Sequence, residues 1–107
     1  MAKKTKRKWN RAHRFARKKS SPRKVGHPVY IFGTSGKYRK YLTFTHNPPD
    51  LVDFEEMLHN IDPDMDGKEK SYVKKTPDVS VDSSFEEPPK KYRIHPDDKE
   101  RIKKYTR

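Results

Sequence analysis

The sequence predicts a small α+β domain built on a β-hairpin, with short additional strands and one or two covering helices, preceded by a flexible basic arm. Three observations predict it. Residues 1–24 hold twelve Lys or Arg and no acid, whereas residues 25–107 hold fifteen charges of each sign. The run from Val25 to Phe44 is rich in Val, Ile, Leu and aromatics and is interrupted by Thr34-Ser35-Gly36, the chemistry of a hairpin turn. Beyond it, helical apolar spacing recurs at Asp50–Ile61 and after Pro96. The domain boundaries follow as 1–24 for the arm and 25–107 for the domain, with loose acidic segments near 62–70 and 82–91.

Composition limits what such a domain is. Leu, Ile, Val and Phe number only 18 among 107 residues, so the core is small. Cysteine is absent, which excludes disulfides and thiolate zinc sites. No apolar h-region follows the basic start and no 18 apolar residues run together, so neither export nor membrane spanning is expected, and a cytoplasmic location is.

The arm has its own pattern. On a helical wheel Trp9, Ala12, His13 and Ala16 share one side, while Arg7, Arg11, Arg14 and Lys18 form a ridge on the other. Ser20-Ser21-Pro22 ends that helix, because Pro22 disfavours α geometry at Ser21. Like charges four apart destabilise an isolated helix by a few tenths of a kcal/mol per pair, roughly. The arm is therefore expected to be disordered alone and helical when phosphates neutralise it. A solvated, unstructured tail is the competing reading of the same charge run.

In the hairpin, Pro28-Val-Tyr-Ile-Phe-Gly33 and Lys37–Thr45 are the strands, and a three-residue loop with Gly36 left-handed closes them. Paired residue numbers then sum to 70. Tyr30, Phe32, Tyr38, Lys40, Leu42 and Phe44 share the face expected to be core. Val29, Ile31, Arg39, Tyr41 and Thr43 share the other, where Arg39 and Tyr41 with Lys37 make a basic, aromatic surface. An ordinary solvated strand face explains those residues equally well.

Asp50 as N-cap, with Leu51, Phe54, Leu58 and Ile61 on one stripe, predicts a helix after Asn47-Pro48-Pro49; a strand near Phe54–Leu58 is the alternative. Tyr72-Val73, Val79-Ser-Val81 and Tyr92-Arg-Ile94 are short strand candidates. His95-Pro96-Asp97-Asp98 starts a helix with Pro96 in its first turn and with Ile102 and Tyr105 inward.

Taken together, Gly26-His-Pro-Val-Tyr-Ile-Phe, Tyr38-Arg-Lys-Tyr-Leu-Thr-Phe-Thr-His46, Leu58-His-Asn-Ile-Asp-Pro-Asp and Ser71-Tyr-Val73 resemble a group of small basic proteins encoded on bacterial mobile elements and phages. The group's middle loop tends to read Asn-Pro-x-Pro where this chain has Asn60-Ile-Asp-Pro63. The resemblance implies a bacterial or phage setting and carries no activity with it.

Several motifs invite chemistry. Asp62-Pro-Asp64-Met-Asp66-Gly67 matches the first half of a calcium loop, but Glu69 stands at its apolar position and Val73 where the bidentate Glu belongs, leaving an acidic surface loop. Gly33-Thr-Ser-Gly36-Lys37 has too few residues between its glycines for a nucleotide-binding loop, and Tyr38 follows the Lys. His13, His59 and His95 show no ligand spacing, so no metal and no cofactor are expected. His27 and His46 flank the open end of the hairpin and are the sole candidate acid and base, for a metal-independent ribonuclease. The sum-70 register points them apart, whereas a bulge or a two-residue turn would bring them onto one face.

Segregated cations next to aromatics predict a nucleic-acid binder, with RNA favoured over DNA or a host ribonucleoprotein as the partner. Arg7, Arg11, Arg14, Arg17, Lys18 and Lys19 would contact phosphates, Trp9 and Phe15 would stack on bases, and Lys37, Arg39 and Tyr41 would extend the surface. The alternatives are the His27/His46 ribonuclease toxin, and a phage or plasmid inhibitor of a host nucleoprotein complex.

Overall fold

Seven short antiparallel strands and a single five-residue α-helix account for the regular structure in a computed structural model that describes residues 14–18, 27–88 and 91–106. The strands are β1 (Arg14–Lys18), β2 (Pro28–Ser35), β3 (Tyr38–Thr45), β4 (Phe54–Glu56), β5 (Tyr72–Lys74), β6 (Asp78–Val81) and β7 (Phe85–Glu86), and the helix is α1 (Lys99–Lys103). Their order is β4-β5-β3-β2-β1-β7, with β6 also paired to β3. This is a β-rich fold and corrects the expected α+β domain with covering helices. Neighbouring strands, rather than helices, cover most of the hairpin.

The hairpin register differs from expectation. Ser35 faces Tyr38 and Gly33 faces Lys40, so the loop is the two-residue Gly36-Lys37 turn, with Gly36 at φ 59°. A bulge between Ile31 and Gly33 then shifts the pairing to Ile31–Tyr41, Tyr30–Leu42 and Val29–Thr43. The tight turn and the bulge together moved the register. The right-handed twist of a hairpin favours two-residue loops with positive φ, and a bulge sharpens the bend of its strand.

That bend lets the sheet curl on itself. β6 pairs with the turn half of β3, a 3₁₀ turn at Asp82–Ser84 follows, and β7 pairs with β1. Residues 78–86 thereby tie both edges of the β1-β2-β3 layer, around a core of Ala16, Val29, Ile31, Tyr41 and Phe85. The opposite face carries Phe32, Leu42, Phe44, Met57, Ile61, Val73 and Ile102, with Phe15, Tyr30, Tyr92, Ile94 and Tyr105 packed against them. Both faces of the hairpin are buried, so the odd-numbered face is core and not the exposed surface expected.

Two expected helices are strands. Arg14–Lys18 alternates Phe15 into one core and Ala16 into the other, a period of two that suits a strand buried on both sides. The remainder of the arm, residues 1–13 and 19–24 with Arg7, Trp9, Arg11 and Lys19, lies outside the described residues. Asp50 does accept the Val52 and Asp53 amides, at 3.0 and 2.7 Å, but as an isolated turn. The chain then pairs Phe54–Glu56 with Tyr72–Lys74, leaving Leu51 and Leu58 exposed. Tyr72–Lys74 and Asp78–Val81 are strands where expected, whereas Tyr92–Ile94 is not, although the Arg93 amide donates to the Ile61 carbonyl at 2.9 Å. After a 3₁₀ turn at Pro96–Asp98, α1 buries Ile102 as its spacing requires. No helix among the described residues is long and apolar enough to cross a membrane.

Candidate functional site

The turn end of the hairpin carries exposed cations. Lys37 and Lys40 are exposed, and Tyr38 keeps 46% of its surface in solvent. The acids of β6 and its following turn are engaged there, Asp78 by Lys74 at 3.1 Å and Asp82 by Arg39 at 3.4 Å. Because β1 is antiparallel to β2 with Arg14 opposite Ile31 and Arg17 opposite Pro28, the chain enters the sheet from this same end.

Four residues expected to contact nucleic acid have partners within the fold. Arg39 is only 4% exposed, and its Nη1 donates to the Gly36 and Tyr38 carbonyls at 2.8 and 2.9 Å. It locks the turn whose charge it was expected to advertise. Tyr41 sits inside the curled sheet, edge-on to Phe85 at 5.2 Å and within 3.2 Å of the Ser80 hydroxyl. Phe15 packs between Tyr30, Phe44 and Tyr92 with ring centroids 5.2–5.8 Å away, which removes it as a stacking platform for bases. Arg17 pairs across strands with Glu86, Nη2 to Oε2 at 2.6 Å. Lys18 is partly buried at the end of β1. Lys37 is left exposed as expected, and Tyr38, expected in the core, is exposed beside it.

At the opposite end, His27 and His46 line one cleft of about 390 Å³, together with Phe44, Thr45, Asp62, Glu69, Ser71 and Tyr92 among others. The hairpin register places 27 and 46 on opposite parities, yet the acidic loop folds over the hairpin end and makes both borders of the same cleft. Among the described residues its lining holds two carboxylates, Asp62 and Glu69. Those carboxylates would repel a phosphorane formed beside the two imidazoles.

A third constellation escaped the sequence. The rings of His59 and His95 stack with centroids 3.6 Å apart and planes 13° from parallel. His59 Nδ1 meets Asp66 Oδ2 at 2.9 Å and its Nε2 meets Asp97 Oδ2 at 3.1 Å. Asp66 is itself held, Oδ1 accepting the Asn60 amide at 3.0 Å, and His95 Nδ1 accepts the Asp97 amide at the same distance. The fully buried Asp98 carboxylate accepts the Leu58 and His59 amides at 2.8 and 3.0 Å, which positions His59 from behind. Hydrogen bonds to Asp66 and then Asp97 raise the His59 pKa above its ordinary value, and the His59 bond in turn lowers that of Asp66. His59, His95 and Asp97 offer ligand atoms all within 4.8 Å of one another. His59 and Asp66 also border a cleft of about 450 Å³. The residues are 7 and 36–38 positions from His59, and only the pairing of β4 with β5 and the C-terminal turn brings them together. The sole local signal was His95-Pro-Asp97.

Comparison with protein-family models, with curated proteins and with solved structures returned no match for this chain.

Proposed function

We propose that the protein binds nucleic acid, RNA in preference to DNA, or a ribonucleoprotein, through its basic N-terminal segment and the hairpin turn beside it. The observation that carries this reading is the segregation of charge along the chain. All of the net +12 resides in residues 1–24, six of its twelve Lys or Arg precede Arg14, and Arg14 begins β1 on the side of β2 that leads to the turn bearing exposed Lys37, Tyr38 and Lys40. A phosphate backbone crossing this end meets cations from two sources, and Tyr38 beside them is an aromatic surface for an unpaired base. The acidic loop lies at the other end, where it repels the same ligand and sets the polarity of docking. By its resemblance to mobile-element and phage proteins we place the binding in the bacterial cytoplasm.

The test must respect the fold, since removing residues 1–24 would delete β1. Removing residues 1–13 takes away six Lys or Arg and leaves every described strand. Fluorescence anisotropy with single-stranded RNA at several salt concentrations should give a log–log slope shallower by about 4 in the shortened protein, from about 0.7 per phosphate contact. Equal slopes would reject binding through the basic segment.

A further inference from the structure

We propose that His59, His95 and Asp97 form a binding site for one divalent cation of the zinc class, independent of nucleic-acid binding, with Asp66 as the residue that orients His59. The spacing fits. Asp97 Oδ2 lies 3.1 Å from His59 Nε2 and 3.6 Å from His95 Nδ1, and ligands about 2.1 Å from a tetrahedral ion are separated by about 3.4 Å. The second observation is the support behind the ligands. A histidine that ligates through one nitrogen commonly donates its other N–H to a carboxylate. His59 has that arrangement, since Nδ1 faces Asp66, Asp66 is pinned by the Asn60 amide, and the His59 backbone is pinned by buried Asp98.

The donor chemistry selects the ion. Two imidazoles and one carboxylate suit zinc, nickel or copper better than magnesium or calcium, which prefer all-oxygen shells. His95 Nδ1 accepts the Asp97 amide, so that nitrogen presents a lone pair. Binding requires the stacked rings of His59 and His95 to tilt out of parallel, so that His95 Nδ1 exchanges the amide for the ion. It also releases the proton held between His59 Nε2 and Asp97. Three protein ligands, of which His59 borders the 450 Å³ cleft, leave the remaining position to water. The bound ion would tie the Asp62–Gly67 loop, through Asp66 and His59, to the turn that starts the C-terminal helix.

Titration calorimetry of the full chain with Zn²⁺, in a buffer that does not chelate, tests this. One equivalent should bind with micromolar affinity, and millimolar Mg²⁺ should not compete. His95→Gln and Asp97→Asn should each weaken binding more than tenfold, and Asp66→Asn by roughly 10-fold or more, while a His27→Gln/His46→Gln variant binds as wild type. On the wild-type chain, Zn²⁺ should shift the side-chain nitrogen resonances of His59 and His95 and leave those of His13, His27 and His46 in place, a readout that needs no variant to fold. Absence of binding at millimolar Zn²⁺, binding that survives both His95→Gln and Asp97→Asn, or shifts confined to the other histidines would overturn the proposal.

Discussion

The carboxylate of Asp98 accepts the backbone amide of His59 at 3.0 Å, joining the C-terminal turn to the irregular segment that follows β4. With no solvent exposure, Asp98 has no water to replace that partner or the Leu58 amide beside it. Its side chain is a cross-brace between two segments that share no strand pairing.

Asp98→Ala should therefore destabilise the fold by about 3 kcal/mol, because two backbone donors lose a charged acceptor in a buried place. Asp98→Asn, which keeps one acceptor oxygen, should cost less. Urea unfolding measures both, as a lowered midpoint with unchanged slope.

Arg39→Lys separates a structural role from a phosphate contact. Lysine keeps the charge but cannot span the Gly36 and Tyr38 carbonyls and Asp82 at once. Stability should fall by about 1–3 kcal/mol, while the salt slope for RNA stays at its wild-type value. Lys37→Gln should do the reverse, leaving the unfolding midpoint in place and reducing the slope by about 0.7.

Gly36 sits at φ 59° with nothing within 4 Å of where a Cβ would stand. The cost of Gly36→Ala is therefore backbone strain alone, about 1 kcal/mol, and Gly36→Asn should cost less because Asn tolerates that region. Paired chemical denaturation curves decide it, and equal midpoints for Ala and Gly would contradict the two-residue turn.

Glu55 and Tyr105 supply the pH dependence. Burial pushes the Glu55 carboxyl up, but hydrogen bonds from Tyr105 and Arg101, with Lys104 nearby, outweigh it and leave the pKa below its ordinary value. The folded state thus holds that proton less tightly than the unfolded chain. The Glu55 contribution is fully present above the ordinary carboxylate range and lost as pH falls through the depressed value. Burial first, and then the Glu55 bond, push the Tyr105 phenol up to about 12; its contribution is intact below the ordinary tyrosine pKa and lost as pH rises from about 10 to 12. Glu55→Gln should flatten the acid limb of the stability profile, and ultraviolet titration should show the most alkaline tyrosine step of the wild type moving to lower pH in the variant.

Much of the hairpin was legible because its period of two survives any register shift by an even number. Tyr30, Leu42 and Phe44 share a face, and Val29, Ile31 and Tyr41 the other, whether paired numbers sum to 70 or 72. What local pattern does not reveal is that both faces find cover, which buried Arg39 and Tyr41. β1 was hidden because Phe15 and Ala16 sit among cations that also fit a helical ridge, and strand pairing with Val29 and Tyr30 overrode that propensity. β4 was hidden by a true capping interaction at Asp50 that begins no helix. The His59 cluster lay beyond reach because its members converge only after three segments assemble. Ile102, in contrast, was readable from spacing alone, since Pro96 and the acids after it mark the start of its helix.

The central claim is that nucleic acid docks on the end of the sheet where the basic segment enters. Backbone amide shifts of the full chain, recorded while a short single-stranded RNA is added at low salt, test it most directly. The largest changes should fall on Arg14 and on Gly36–Lys40, with the loop at residues 60–70 undisturbed. Largest changes around His27, His46 and Glu69, or none at stoichiometric RNA, would contradict it.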